Sequence, residues 1–459
     1  MSSSRLEGLS VRQLAEWVAS RRLSVAEVTA YFLERIARFD EQLRGYNHVA
    51  ADRAMAAARE LDARIARGDK PGALAGIPIS VKDIVDVEGL PATGASATRK
   101  GRIASSDATV VRRLRRAGAI VLGMANCHEL AFGGPSFDLP CPPARNPWNT
   151  DFFSGGSSSG SGVTVAAGLC LGSVATDTAG SIRLPATLCG VVGLKPTHGA
   201  LPLDGISPLS LSMDHVGPIA ATVDDCRILF AAMRGESMPE PLPPEASFSG
   251  LHLGIPRNAW GIGDRLDADM GAAWQEAIAV ARSGGATIVE LDLEELETFH
   301  APAMVVMMRE VADVHAAKVR RDFSSYGEMF RGRVLIGDAI DEKAMETAGR
   351  ARVLLTEHLS RALETVDAIL APGALTPATL LRAVNKYYFM KDPIPNAVAA
   401  FTGHPALAFP CGLSSAKLPV GVQLIGLKGA EERLFDIAAR FLQARPDWSP
   451  RPVSFFEAA

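Results

Sequence analysis

Short apolar runs alternate with longer mixed stretches along this chain, and the alternation predicts most of its elements. Near the start, Ser10 precedes Gln13 and Ser24 precedes Glu27, each by three positions. Each pair is a capping box: the hydroxyl accepts from an orphan N–H of the first turn and the longer side chain reaches back. They predict helices over 11–20 and 25–39. A third helix, rich in Ala and Arg, is expected over 48–67 and stops at Gly68-Asp69-Lys70-Pro71-Gly72. Residues 1–70 carry no convergent polar group and read as a helical packing layer. Ile77-Pro78-Ile79-Ser80-Val81 is a short buried strand, with Lys82-Asp83 at its end. Asp107 is expected to cap a helix through Ala117, and a strand follows over Ala119–Leu122.

The alternation continues toward the C-terminus. Leu251–Ile255, Ala286–Leu291 and Asp367–Leu370 read as strands; 266–283, 296–320, 342–365 and 430–443 read as helices. Pro405–Pro410 and Val420–Ile425 add two late strands, so that 400–445 returns to the same sheet. Residues 234–250, rich in Pro and Glu, read as a surface connection. Strands interleaved with helices indicate an α/β class with a mostly parallel or mixed sheet. There is no internal repeat.

One stretch breaks the pattern. Residues 151–197 are crowded with Gly and Ser, and after Asp151 their only charges are Asp177, Arg183 and Lys195. Gly/Ser runs are often flexible linkers. A linker divides domains, however, and this run sits inside the most apolar part of the chain. Gly permits close backbone approach, and Ser supplies hydroxyls for chemistry.

Composition narrows the function classes. The 459 residues are 47% hydrophobic and 21% charged, which is ordinary for a soluble globular protein. A formal net charge of −4 gives no pull toward nucleic acid or an anionic membrane. Arg112, Arg113, Arg115 and Arg116 read as a solvated face. The six cysteines are scattered, with no C-x-x-C pair and no His at zinc-ligand spacing. They are expected to be reduced, packed thiols of a cytoplasmic protein. The N-terminus lacks the apolar segment of a signal peptide, and no run reaches the roughly 18 apolar residues of a membrane span.

Gly156-Ser157-Ser158-Ser159-Gly160 formally matches G-x-S-x-G. That elbow needs a buried strand before it, and Pro147–Ser154 is turn-rich instead. Its triad also needs a late His, for which His404 is the only candidate. No phosphate loop occurs, and His128-Glu129 lacks the second His of a zincin helix. What remains is a serine activated without a clear histidine. Lys82 is the candidate base, because a desolvated lysine loses its proton more readily. By residue statistics alone, a surface lysine with a snorkelling stem is the commoner case.

The stretch 151–197 resembles the amidase signature, the Gly/Ser-rich core of a family of amide hydrolases. Gly155-Gly156-Ser157-Ser158 resembles its G-G-S-S turn, Asp177-Thr178-Ala179-Gly180-Ser181-Ile182-Arg183 its D-T-G-G-S-I-R, and Ile77–Asp83 its strand ending in K-D. Cys189–Thr197, Asp214–Pro218 and Gly421–Gly426 continue the match. Lys82 and Ser157 stand 75 residues apart, and Ser157 and Ser181 stand 24 apart, as in that family.

The resemblance implies a large single domain over 1–459, with a central mixed sheet flanked by helices on both faces. Within it, 75–230 would be the signature core and 297–395 a variable insert lining the substrate pocket. The resemblance also implies a Ser-Ser-Lys triad. Ser181 is the nucleophile, Ser157 relays its proton across a cis peptide, and Lys82, neutral at rest, is the base. Backbone N–H groups of Thr178, Ala179, Gly180 and Ser181 would form the oxyanion hole. Asp177, Arg183 and Ser158 would support the loop.

No metal or cofactor is implied. The partner is a small amide, with a homodimer the assembly entertained and no nucleic acid or membrane. An aromatic or alkyl amide would suit a lining that includes the Cys127–Pro142 segment, His300, Met304, Met307, Met308, His315, Tyr326, Tyr387, Tyr388 and Phe389. The rival readings are a glutaminase like the catalytic component of glutamyl-tRNA amidotransferase and a non-catalytic scaffold. The chain departs from the family at Ala179, where Gly is usual, at Ser159, also usually Gly, and at Phe153-Ser154.

Overall fold

The computed structural model describes residues 6–243 and 245–456, so the leader-free reading of residues 1–5 lies outside the described residues. In chain order the strands are β1 (Tyr46–Val49), β2 (Pro78–Lys82), β3 (Ile120–Ala125), β4 (Gly172–Asp177), β5 (Val192–Lys195) and β6 (His215–Ala220). They continue with β7 (His252–Pro256), β8 (Thr287–Leu291), β9 (Ala368–Pro372), β10 (Ala406–Leu413) and β11 (Pro419–Ile425). All join one sheet in the order β1-β3-β2-β4-β6-β5-β10-β11-β9-β7-β8.

The sheet is mixed. β3, β2 and β4 run parallel, as do β9, β7 and β8, while the strands between β4 and β9 pair antiparallel. Every residue of β2, β4, β5, β6, β9 and β11 is buried. Burial of both side-chain sets of a strand requires cover on both faces, and helices supply it.

Both capping boxes form. Ser10 accepts from the Gln13 N–H and Ser24 from the Glu27 N–H, and each long partner returns the bond. The late strands lie within three residues of expectation. Two local readings change. Residues 46–49 are strand, and the third helix starts only at Ala51. Tyr46–Val49 pairs with β3, so a non-local ladder overrides the helical composition that follows it. Asp107 caps nothing: the helix Thr109–Arg116 has Ala108 at its N-cap. Asp107 instead accepts from the Glu88 N–H and pairs with Arg115, while Asp204 takes the Thr109 N–H.

The Gly/Ser stretch is not a linker. Ser159–Ala166 is a helix buried at every residue, and β4 follows it into the sheet centre. No helix among the described residues is long and apolar enough to cross a membrane.

Candidate active site

β2 and β4 are parallel neighbours, with Val81 opposite Val174. Their C-terminal ends therefore deliver Lys82 and the Thr176-Asp177 pair to the same sheet edge. Lys82 is fully buried. Its Nζ lies 2.8 Å from Ser157 Oγ, 2.9 Å from Ser158 Oγ and 2.7 Å from Thr176 Oγ1. Three hydroxyls satisfy its three hydrogen-bonding directions, and no carboxylate among the described residues forms an ion pair with it. This is not a snorkelling lysine. Burial pulls its pKa down to about 8, against the pull of the nearby Asp177 and Asp214 carboxylates.

Ser157 and Ser158 lie on the turn that enters the helix Ser159–Ala166. The Gly156–Ser157 peptide is cis. Gly156 has no room for a side chain: a Cβ there would sit 2.1 Å from His128 Cε1. Ser158 Oγ also donates to Thr176 O at 3.0 Å, so the middle serine of the formal G-x-S-x-G holds the lysine in place. His404, the elbow's only histidine candidate, has its ring nitrogens on Thr402 and Ser360, and burial pushes it down to about 3. His128 stacks on Phe153 and is likewise pushed down to about 3 by burial. No group of His, Cys, Asp and Glu suited to a metal ion occurs among the described residues.

The loop Asp177–Arg183 is built around a buried charge pair. Arg183 Nε and Nη2 each lie 3.0 Å from the Asp177 carboxylate, and both side chains are fully buried. The same carboxylate accepts the Gly180 N–H at 2.6 Å and the Ile182 N–H at 3.1 Å. Buried and multiply bonded, Asp177 is held at about 2 by Arg183 despite its desolvation.

The Gly180 N–H thus departs from the oxyanion-hole expectation, because Asp177 engages it. The Thr178, Ala179 and Ser181 N–H groups donate to no backbone acceptor in this loop. Positive φ falls on Gly180 (129°) and not on Ala179, so alanine at 179 carries no backbone strain. Ser159, a second departure, places its Oγ in the buried helix with no partner.

Ser181 is partly exposed and opens on a cavity of about 500 Å³. Its Oγ makes no hydrogen bond to Ser157 Oγ, although the Ser158 N–H donates to Ser181 O at 3.3 Å and so ties the two loops. The cavity is walled by apolar groups such as Phe132, Phe153, Leu184, Leu188 and Met307, with Arg265 and Asp392 as its charges. Tyr388 and Phe389 also line it. His300, His315 and Tyr326 do not: His300 Nε2 bonds Phe389 O, and the other two pack on Phe330.

Two residues at this site escaped the sequence reading. Thr176, the third hydroxyl on Lys82, was legible as the residue preceding the D-T motif on a buried strand. Asn396 lines the cavity from a segment with no motif at all.

A model of the amidase family matches residues 27–435. The GatA-type component of the glutamyl-tRNA(Gln) amidotransferase of Microcystis aeruginosa is 32% identical over 492 residues, covering 97% of this chain and 99% of that one. The peptide amidase of Stenotrophomonas maltophilia superposes with a TM-score of 0.84 at 27% identity, over 98% of this chain and 99% of that one. The corresponding amidotransferase component of Thermotoga maritima superposes with a TM-score of 0.78 at 27% identity, over 95% of this chain and 94% of that one.

Proposed function

The chain belongs to the amidase-signature family, enzymes that hydrolyse amide C–N bonds, and from that premise we propose that it cleaves a small carboxamide through an acyl-enzyme on Ser181. The observation that carries this reading is Lys82: buried, without a counter-ion among the described residues, and 2.8 Å from Ser157 Oγ. A neutral amine there accepts a proton from Ser157 as Ser157 accepts one from Ser181. Ser181 Oγ attacks the amide carbon, and the carbonyl oxygen develops negative charge.

The N–H groups of Thr178, Ala179 and Ser181 are the donors for that charge. Backbone donors are fixed before the charge appears, and losing one such donor typically lowers the rate about 10²–10³-fold. Ser157 gives its proton to the leaving nitrogen as protonated Lys82 restores one to Ser157, and the amine or ammonia departs. Water then attacks the ester by the same relay, releasing the carboxylate. Asp177 and Arg183 hold the loop and do not react. The largely apolar cavity suits an alkyl or aryl acyl group.

A second reading is favoured by the full-length identity to the amidotransferase component: a glutaminase that works in a complex. Inactivity of the purified chain, restored by partner proteins, would select it.

The test is labelling with a fluorophosphonate, followed by peptide mapping, and hydrolysis of a carboxamide panel. We expect label on Ser181, absent in Ser181→Ala. Label on Ser158 would overturn the triad, and no turnover of any amide, with or without partner proteins, would leave a non-catalytic scaffold.

A further inference from the structure

The helix Glu342–Leu363 buries Ala348, Leu355, Leu359 and Leu363 against the rest of the chain. Helical periodicity then turns Val353 and Leu354 outward, and they are 58% and 66% exposed. Single exposed apolar side chains are ordinary on a soluble protein. The charges around this pair follow a pattern, however. Lys343, Glu346, Arg350, Glu357, Arg361 and Glu364 are all exposed and share the outward side of the helix and its C-terminal end. They stand symmetrically about the midpoint between Val353 and Leu354. Arg350 lies as far before that midpoint as Glu357 lies after it. Glu346 matches Arg361 in the same way, and Lys343 matches Glu364. Each matched pair joins opposite charges.

We infer that this helix face docks on a second copy of the chain about a two-fold axis through that midpoint. In such a contact residue i meets residue j of the partner, and j meets the partner's i. An antiparallel pairing of the two helices places Val353 and Leu354 of both copies at the centre. Arg350 then faces the partner's Glu357, Glu346 the partner's Arg361 and Lys343 the partner's Glu364. No like charges in this set oppose each other. Within one chain the same groups are weakly engaged: Glu346 and Arg350, and likewise Glu357 and Arg361, stand 3.9 Å apart, beyond hydrogen-bond distance. Gly349 lies in the interior of the helix, where a Cβ would meet nothing within 4 Å. Glycine there costs helix stability relative to alanine, and no contact inside the chain calls for it; close approach of a second helix does. Weak interfaces bury under about 1,200 Å² in total, and one pair of surface helices belongs to that class. The dimer is therefore expected to be reversible at micromolar concentrations.

Sedimentation velocity of the full chain, over roughly 1–300 µM, tests the contact. We expect a monomer–dimer equilibrium for the wild type. Arg350→Glu sets a glutamate against the partner's Glu357, and Glu357→Arg sets an arginine against the partner's Arg350. Each change alone should weaken dimerisation about tenfold or more, since like charges are brought together. Mixing the two variants restores opposite charges at both positions, one protomer supplying two glutamates and its partner two arginines. The mixture should dimerise about as tightly as the wild type. Damage to the fold of either variant cannot produce that rescue, and none of the substituted residues lines the cavity at Ser181.

A wild type that stays monomeric at every concentration overturns the inference and leaves the face to solvent or to a different protein. So does a dimer that both charge reversals leave intact, which would use another face. Failure of the mixture to recover overturns it as well, because the register is what the pairing specifies.

Discussion

Titrating Lys82 is the most direct perturbation of the proposed relay. Burial holds its pKa at about 8, well below the ordinary lysine value. The neutral amine is the form that accepts a proton from Ser157, so reactivity rises with pH and never falls through this group. With a pKa of about 8, roughly a tenth of the enzyme is active at pH 7, half at pH 8 and nine-tenths at pH 9. The assay is the second-order rate of fluorophosphonate labelling at Ser181 from pH 6 to 10, which needs no knowledge of the substrate. The expected profile climbs tenfold per unit below pH 7 and levels above pH 9.

Asp214 supplies a second handle on the same group. Its carboxyl is raised to about 6 by burial, so it is charged at pH 8, where its field favours the protonated lysine. Asp214→Asn should move the midpoint to lower pH and raise labelling at pH 7. Lys82→Met should lower labelling about 10²–10⁴-fold, the usual weight of a positioned general base. A midpoint near 6.5 that persists in Lys82→Met would point to a histidine and refute the reasoning. A flat profile would do the same.

Arg183→Met leaves Asp177 buried without its counter-ion, and breaking such a pair typically costs about 3–5 kcal/mol. Urea unfolding measures it, and a loss under about 1 kcal/mol would count against the central role of the pair. Gly156→Ala forces a methyl into His128 Cε1, so the turn carrying Ser157 must move. We expect a folded but poorly labelled protein, with partial rescue in Gly156→Ala/His128→Ala; failure of that rescue would locate the damage elsewhere. Glu129, which accepts from Ser96 Oγ and the Gly327 N–H, is raised by burial to about 7. Its folded pKa lies above its unfolded one, so its contribution is full below about 4.5 and is lost as pH rises through about 7. Glu129→Gln should therefore flatten the fall in thermal stability between pH 5 and 8; an unchanged slope would show that other groups set it.

Elements governed by near neighbours along the chain were legible. The capping boxes at Ser10 and Ser24 act within three residues, and both formed. Most strands flanked by turn residues were placed correctly. The errors lie where a distant partner decides. Tyr46–Val49 became strand because β3 offers it a ladder. Asp107 looked like a cap because the code for a cap is local, yet Glu88 and Arg115 claimed its carboxylate. β4, β5 and β6 were motif rather than strand in the sequence, since a continuously apolar or small-residue run does not distinguish buried helix from buried strand.

The sequence by itself determined the chemical inventory: a lysine at a strand end, two serines on glycine turns, and an acid and an arginine flanking the second serine, all at the spacing of one family. Tertiary structure decided what those groups can do. The proposed role of Lys82 as a base depends on burial, which disfavours its charge, and desolvation belongs to the packed whole. The Gly180 N–H is turned to Asp177, and Asn396 is brought beside Gly180 by a link through Arg183 that spans 213 residues of chain. Spacing along the chain encodes which groups are present. Only the folded path sets which of them meet and which are screened from water.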